Sequence, residues 1–187
     1  ISGSKRMNFT FIIISLLMSN FVNAAILKEV NIGLASNFSE LSTVQTNPFA
    51  GHFINGVTLA FDERKDQLKS KNIKVNLLNI DYGASDFNIE KKLNDAVLSD
   101  KISAVIGYNY SSSALTAAPL HEKLKIPLLT PSATANRLGD YKQFVHSAAF
   151  SNSFMGQALS QFVLGELKLK KALIIKAVDC AYCTDLA

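Results

Sequence analysis

The sequence predicts an α/β fold: an open, mostly parallel sheet with helices on both faces. Short apolar runs alternate along the chain with longer segments whose apolar residues recur at helical spacing. The runs have nearly continuous apolar centres, as in Ala104-Val-Ile106 and Leu173-Ile-Ile175, which suits strands covered on both faces. The composition is that of an ordinary globular chain, with 187 residues, 48% hydrophobic and 18% charged, 9 Gly and 4 Pro. It excludes a disordered, collagen-like or disulfide-scaffold protein.

Each element follows in order. Val30 to Leu34 is a short alternating run and reads as the first strand. The Ser/Asn-rich stretch from Ser36 to Asn47 reads as a long polar loop. Ile54, Val57, Phe61 and Leu68 fall at near-helical spacing, with Asp62, Glu63, Arg64 and Lys65 for the wet face, so one amphipathic helix is expected there. Lys74 to Ile80 is the second strand. Asp81 to Asp86 supplies turn and cap residues, and Ile89, Leu93, Ala96 and Val97 mark one face of the next helix. Ile102 to Ile106 is a strand ending at Gly107, and Ser111 opens a helix running towards Lys123. Ile126 to Thr130 is a strand, Phe144-Val-His a short extended piece, Phe154 to Leu167 a helix, and Lys171 to Val178 a last strand. The strand–helix alternation means βαβ units. After Val178 the chain starts what reads as another helix and stops, the pattern expected of a truncated sequence.

The N-terminal part is of another kind. Lys5 and Arg6 precede Met7, an apolar run follows from Phe9 to Met18, and Val22-Asn-Ala24 offers small residues at a cleavage position. That is the pattern of a secretory signal peptide. A spanning helix needs about 17–25 apolar residues, and Asn20 and Asn23 cut this run short. Residues 1–24 are therefore expected to be a leader cleaved after Ala24, with export to the periplasm; residues 1–6 are set aside from fold reasoning. The formal net charge of +4 loses two positive charges with Lys5 and Arg6. The remaining lysines are scattered, without the basic stripe and interleaved aromatics of a nucleic-acid binder.

No Gly-x-Gly-x-x-Gly follows the first strand, and there is no Gly-x4-Gly-Lys-[Ser/Thr] or Gly-x-Ser-x-Gly. His52, His121 and His146 have no metal-ligand spacing. No cofactor and no enzymatic activity is expected. Two segments at the carboxyl ends of neighbouring strands carry the chemistry. In Gly107-Tyr-Asn-Tyr-Ser111-Ser-Ser113 a strand passes through a glycine turn into a Ser-rich helix start. A helix N-terminus at that edge suits a carboxylate or phosphate, although serine is also favoured there simply as a cap. In Thr130-Pro-Ser132-Ala133-Thr134 small residues leave backbone and hydroxyls open, and a Thr hydroxyl can both donate to a carboxylate and accept from an ammonium. The plainer reading is an ordinary strand-to-loop exit.

Gly33, Gly56-Val-Thr-Leu-Ala60-Phe-Asp-Glu63, a strand ending in Asp81, Val105-Ile-Gly107…Ser111 and Ile126-Pro…Thr130-Pro-Ser-Ala-Thr134 occur in that order. The order resembles the leucine/isoleucine/valine-binding branch of the type I periplasmic binding proteins, over about Lys28 to Leu186. The resemblance implies a flavodoxin- or Rossmann-like first lobe over 25–146, and a crossover with the start of a second lobe over 147–187. It implies capture of a small polar solute, most often an amino acid, by lobe closure, and delivery to the membrane permease of an ABC importer. Ser111 and Thr134 would bind the ligand carboxylate with the backbone of Ser132 and Ala133. The Ser132 carbonyl and Thr134 hydroxyl would meet the ammonium. Phe49 and Tyr182 would supply aromatic covers from the two lobes. The same fold also serves ligand-sensing receptors and regulators.

Cys180-Ala-Tyr-Cys183 is the rival motif. A Cys-x-x-Cys between strand and helix is where thiol–disulfide oxidoreductases hold their reactive pair. A local structural disulfide, or two free thiols flanking Tyr182, are the alternatives.

Overall fold

The computed structural model describes residues 27–38, 48–83 and 85–186. The leader and most of the Ser36–Asn47 stretch lie outside the described residues. Five strands, β1 (Lys28–Ser36), β2 (Ile73–Asp81), β3 (Ile102–Gly107), β4 (Leu128–Thr130) and β5 (Val145–Ser147), form one sheet in the order β2-β1-β3-β4-β5. Every neighbouring pair is parallel. The helices are α1 (Pro48–Glu63), α2 (Lys65–Ser70), α3 (Ile89–Ser99), α4 (Ser111–Leu124), α5 (Asn152–Gln161) and α6 (Ala181–Leu186).

Strand β2 shows how the sheet is covered on both sides. Successive side chains point to opposite faces. Ile73, Val75 and Leu77 line a groove with Phe61 of α1 and Leu68 of α2. Leu78 and Ile80 instead join the core cluster built with Ile89, Leu93 and Ala96 of α3 and Ala114, Ala117 and Ala118 of α4. In α3 the buried residues recur every three or four positions, the stripe expected of a helix lying on a sheet. In α4 the buried stripe is made mostly of small residues, three alanines and two serines, which lets that helix approach closely.

Burial grows along β1, from exposed Lys28 and Glu29 to fully buried Gly33, Leu34, Ala35 and Ser36. The amino ends of β1 and β2 are polar and open: Lys74 Nζ meets Glu29 Oε1 at 2.9 Å, and Asn76 donates to Asn31 Oδ1 at 2.9 Å. The core and the tightest backbone contacts thus lie at the carboxyl ends. There Gly107 has φ +152°, and a Cβ at that position would stand 2.2 Å from the Ala35 carbonyl oxygen. The last residue of β3 needs to be a glycine because β1 passes directly beside it.

Three elements differ from the sequence expectation. The helix expected over Ile54–Leu68 is two helices that meet at Arg64, and α1 begins earlier, at Pro48; proline suits a first helical position because its missing N–H is not needed there. The helix expected over Phe154–Leu167 ends its α-helical part at Gln161. It continues as one wider turn over Phe162–Glu166, where the Leu167 N–H reaches the Phe162 carbonyl at 3.0 Å. The last expected strand, Lys171 to Val178, is not formed. Its composition is that of a buried strand, but Leu173, Ile174, Ile175 and Val178 are exposed, and no strand pairs with them among the described residues. A strand exists only through its neighbours' hydrogen bonds.

Candidate functional site

The strand order puts β1 between β2 and β3, so the chain's connections leave β1 in opposite directions. The crevice at such a point, outside the carboxyl ends, is where open α/β sheets take ligands. The residues that reach it are the turns after β3 and β4.

Turn one runs through Tyr108, Asn109 and Tyr110 into α4. Tyr108 is fully buried with φ +55°, and its N–H donates to the Ala35 carbonyl at 2.9 Å. Its ring stacks on Tyr82 at 5.6 Å between centroids and meets the edge of His121 at 5.8 Å. Burial, with Tyr82 beside it, pushes the Tyr108 phenol well above its usual range. Burial also lowers the pKa of His121, against a smaller opposing effect from its hydrogen bond to the Ile126 carbonyl. That bond, Nδ1 to oxygen at 2.9 Å, requires the proton on Nδ1. The aromatic group is a neutral, rigid floor beneath the turn.

None of the three serines caps α4. The cap position belongs to Tyr110, in extended conformation and without a side-chain cap bond. Ser113 Oγ donates to Asp86 Oδ1 at 2.6 Å, and Ser112 is exposed. Ser111 is the first helical residue, buried, and its hydroxyl accepts the N–H of Thr134 at 3.3 Å. The two residues paired by the sequence reading, 23 positions apart, are thus in direct contact.

Turn two is held by hydroxyls. Thr130 Oγ1 is fully buried, donates to the Tyr108 carbonyl at 3.0 Å and accepts the Ala133 N–H at 3.3 Å. Ser132 Oγ donates to the Asn109 carbonyl at 2.8 Å, and Ser147 Oγ donates to the Ala133 carbonyl at 2.9 Å. Turns one and two are thereby fastened together. Against this background the described residues include several buried polar side-chain atoms with no hydrogen-bond partner: Thr134 Oγ1 and Asn109 Oδ1 on the two turns, the Tyr108 hydroxyl and His121 Nε2 in the aromatic floor, and Asn152 Oδ1. Buried polar atoms are nearly always bonded; of these exceptions, Thr134 is the one whose residue also lines a hollow beside turn two.

Two hollows flank these turns. One, of about 400 Å³, lies among Tyr82, Asp86, Tyr110 and Ser112; the other, of about 270 Å³, lies among Thr134, Asn136, Tyr141 and Ser147. A larger open hollow of about 660 Å³, at the polar amino ends of β1 and β2 among Asn31, Asn76 and Asp100, contains no unbonded buried group of this kind.

Tyr182 stands in α6 with its ring exposed. Its backbone is joined to turn two through Asn152, whose N–H donates to the Thr134 carbonyl at 2.8 Å and whose Nδ2 donates to the Tyr182 carbonyl at 3.2 Å. Phe49 falls in the first turn of α1, and its side chain lies outside the described part of the structure. Cys180 and Cys183 are joined in a disulfide, so free thiols flanking Tyr182 are not what the structure contains. The sequence reading missed Tyr108, Asn109 and Asn152. The cue for the first two was their place directly after a strand-ending glycine. Asn152, set between two serines at a helix start, looks like one more cap residue. Among the described residues no three His, Cys, Asp or Glu side chains are grouped so as to hold a metal ion, and no helix is long and apolar enough to cross a membrane.

The family model described as periplasmic binding protein matches residues 29–187. The chain belongs to that family. Solved structures agree in fold. A leucine binding protein, LivK, from Thermotoga maritima is 24% identical with a TM-score of 0.67, covering 85% of this chain and 43% of its own. The branched-chain amino acid transporter substrate binding protein LivJ from Streptococcus pneumoniae, in complex with isoleucine, is 25% identical with a TM-score of 0.61, covering 75% and 39%. A solute binding protein of an ABC transporter from Rhodopseudomonas palustris, in complex with 3,4-dihydroxybenzoic acid, is 16% identical with a TM-score of 0.67, covering 84% and 41%. The chain thus spans less than half the length of each. No curated protein matches it.

Proposed function

We propose that the chain is the first lobe, 25–146, with the crossover and start of the second lobe, 147–187, of an extracytoplasmic solute-binding protein. It captures a small carboxylate-bearing solute, most simply an amino acid of the leucine/isoleucine/valine class, and hands it to the membrane permease of an ABC importer. One observation carries this reading. The Thr134 hydroxyl is buried and unbonded, and the Thr134 N–H is held by the Ser111 hydroxyl at the start of α4, a helix whose cap residue makes no side-chain cap bond. Free N–H groups, a partial positive charge and two hydroxyls suit a carboxylate. The ligands named for the similar structures, isoleucine and 3,4-dihydroxybenzoic acid, share that group. The backbone of Ser132 borders the cradle, with the Ser132 carbonyl and Thr134 hydroxyl left for an ammonium, while the Ala133 N–H and carbonyl, already bonded to Thr130 Oγ1 and Ser147 Oγ, hold the turn in shape. Tyr182 and Phe49 supply the covers. Solute capture then works by hinge closure, the ligand favouring the closed state. Family membership favours this binding role over thiol–disulfide exchange at Cys180 and Cys183.

Calorimetric titration of the full chain with L-leucine, and with benzoate for comparison, tests the reading. A hydrogen bond to a charged group is worth about 1.5–3 kcal/mol, so Ser111→Ala should weaken binding roughly 10- to 150-fold. Unchanged affinity would place the ligand elsewhere.

A further inference from the structure

One buried side chain between turn two and the Tyr182 turn has no part in the chemistry above. Asn152 opens α5 and is fully buried. The helix does not need it as a cap, because Ser151 Oγ already accepts the Phe154 N–H at 3.3 Å. Burying an amide costs desolvation for each bond left unmade, and Asn152 Oδ1 has no hydrogen-bond partner. What the residue does make are two bonds to different segments: its N–H to the Thr134 carbonyl, and its Nδ2 to the Tyr182 carbonyl. A second bridge runs beside it. The Asn136 N–H donates to Asp185 Oδ2 at 2.8 Å, while Asn136 Oδ1 accepts the Ser153 N–H at 2.8 Å. The disulfide closes a ring of residues 180–183 that holds Tyr182, and the Thr184 N–H just past it donates to the Cys180 carbonyl at 2.9 Å.

We propose that Asn152 is a positioning residue that sets where the Tyr182 turn stands relative to the Thr134 turn. The covalent ring makes the Tyr182 turn one stiff unit, so a single buried amide can place it. The disulfide's role is then to hold the exposed aromatic in register. The inference rests on the reading of Thr134 and Tyr182 as two sides of one ligand site.

Amide hydrogen exchange on the full chain without ligand tests the tether. Asn152→Ala removes the side-chain bridge. Asn152→Asp keeps the size but cannot donate to the Tyr182 carbonyl, and Ser151→Ala removes only the cap. Both Asn152 variants should exchange the Thr184 and Asn136 amides at least tenfold faster, with β1 and β3 unchanged, and Ser151→Ala should leave those two amides alone. Wild-type exchange at Thr184 in both Asn152 variants overturns the proposal. So does loss of protection throughout the sheet in Asn152→Asp, which would make the residue a core element only; if Asn152→Ala does not fold, the Asp variant decides. With L-leucine as probe, the affinity losses of Asn152→Asp and Tyr182→Ala should not add, since one acts through the other; additive losses overturn the positioning role. If wild-type protein gives no heat with L-leucine while the exchange contrast holds, the ligand assignment fails and the tether stands.

Discussion

Thr134→Val separates a binding hydroxyl from a structural one by the sign of its effects. Valine keeps the β-branched shape, so packing beside Ser111 and the backbone bond from the Thr134 N–H to Ser111 Oγ should persist. Only the hydroxyl goes, and in the ligand-free protein that hydroxyl is buried with no partner. A buried polar group without a bond costs about 1–3 kcal/mol. Its removal should therefore leave the melting temperature unchanged or raise it, by roughly 2–4 °C for each kcal/mol recovered in a domain of this size. Affinity for L-leucine should move the other way and fall about 10- to 150-fold, the value of one hydrogen bond to a charged group. Thermal melts and calorimetric titration on the same preparation read both signs. A lower melting temperature together with wild-type affinity would refute the argument, because it would mean that the hydroxyl serves the fold and not the ligand.

Gly107→Ala should cost at least about 1–3 kcal/mol in urea titration, since it forces alanine to a positive φ and drives its Cβ into the Ala35 carbonyl; a neutral result would show that β1 and β3 are not so closely apposed. His121 is buried with its pKa lowered from 6.5. The unfolded chain therefore takes up a proton first as pH falls below that value, so stability should be flat above about pH 6.5 and decline below it, by at most about 1.4 kcal/mol per pH unit. His121→Asn should remove that part of the slope, and an unchanged slope would assign it to other groups. Mass spectrometry of protein secreted from a Gram-negative host should find an N-terminus near Ala25; recovery of the uncleaved chain in the cytoplasm would overturn export.

Most of the sheet was legible in the sequence because parallel strands and their covering helices write strong local patterns. Ile89, Leu93 and Ala96 repeat at helical spacing and are buried as expected; Ile102 to Gly107 is an apolar run closed by a glycine that the backbone requires. Residues 171–178 carry the same apolar signal, yet they form no strand. Composition reports that a run suits a sheet, whereas pairing depends on a neighbour that local sequence does not name. Site residues divide along the same line. Ser111 and Thr134 each sat in a turn with recognisable chemistry, but their contact depends on β3 and β4 being adjacent. From spacing alone, serine's preference for helix starts makes capping the stronger explanation for Ser111, whereas the structure puts Tyr110 at the cap position. Asn152 could not be found at all, since its meaning lies in two carbonyls 18 positions before it and 30 after it.

If the proposed reading holds, the hydroxyl-rich turns form a site of neutral residues for a charged solute. Thr130, Ser132 and Ser147 spend their hydrogen bonds inside the protein, locking the backbone of turns one and two against each other. Asn109 Oδ1 and Thr134 Oγ1, next to those locks, are left without partners. If all five groups were bonded internally the turns would be more stable and would have nothing to offer a ligand. If none were, the available groups would not be held in place, and ordering them would consume the binding energy. Division of these groups into fasteners and unbonded neighbours gives a rigid edge behind Gly107 and Tyr108 and, on the proposed reading, a Thr134 hydroxyl able to donate to a carboxylate beside an Asn109 amide oxygen able only to accept, as from an ammonium.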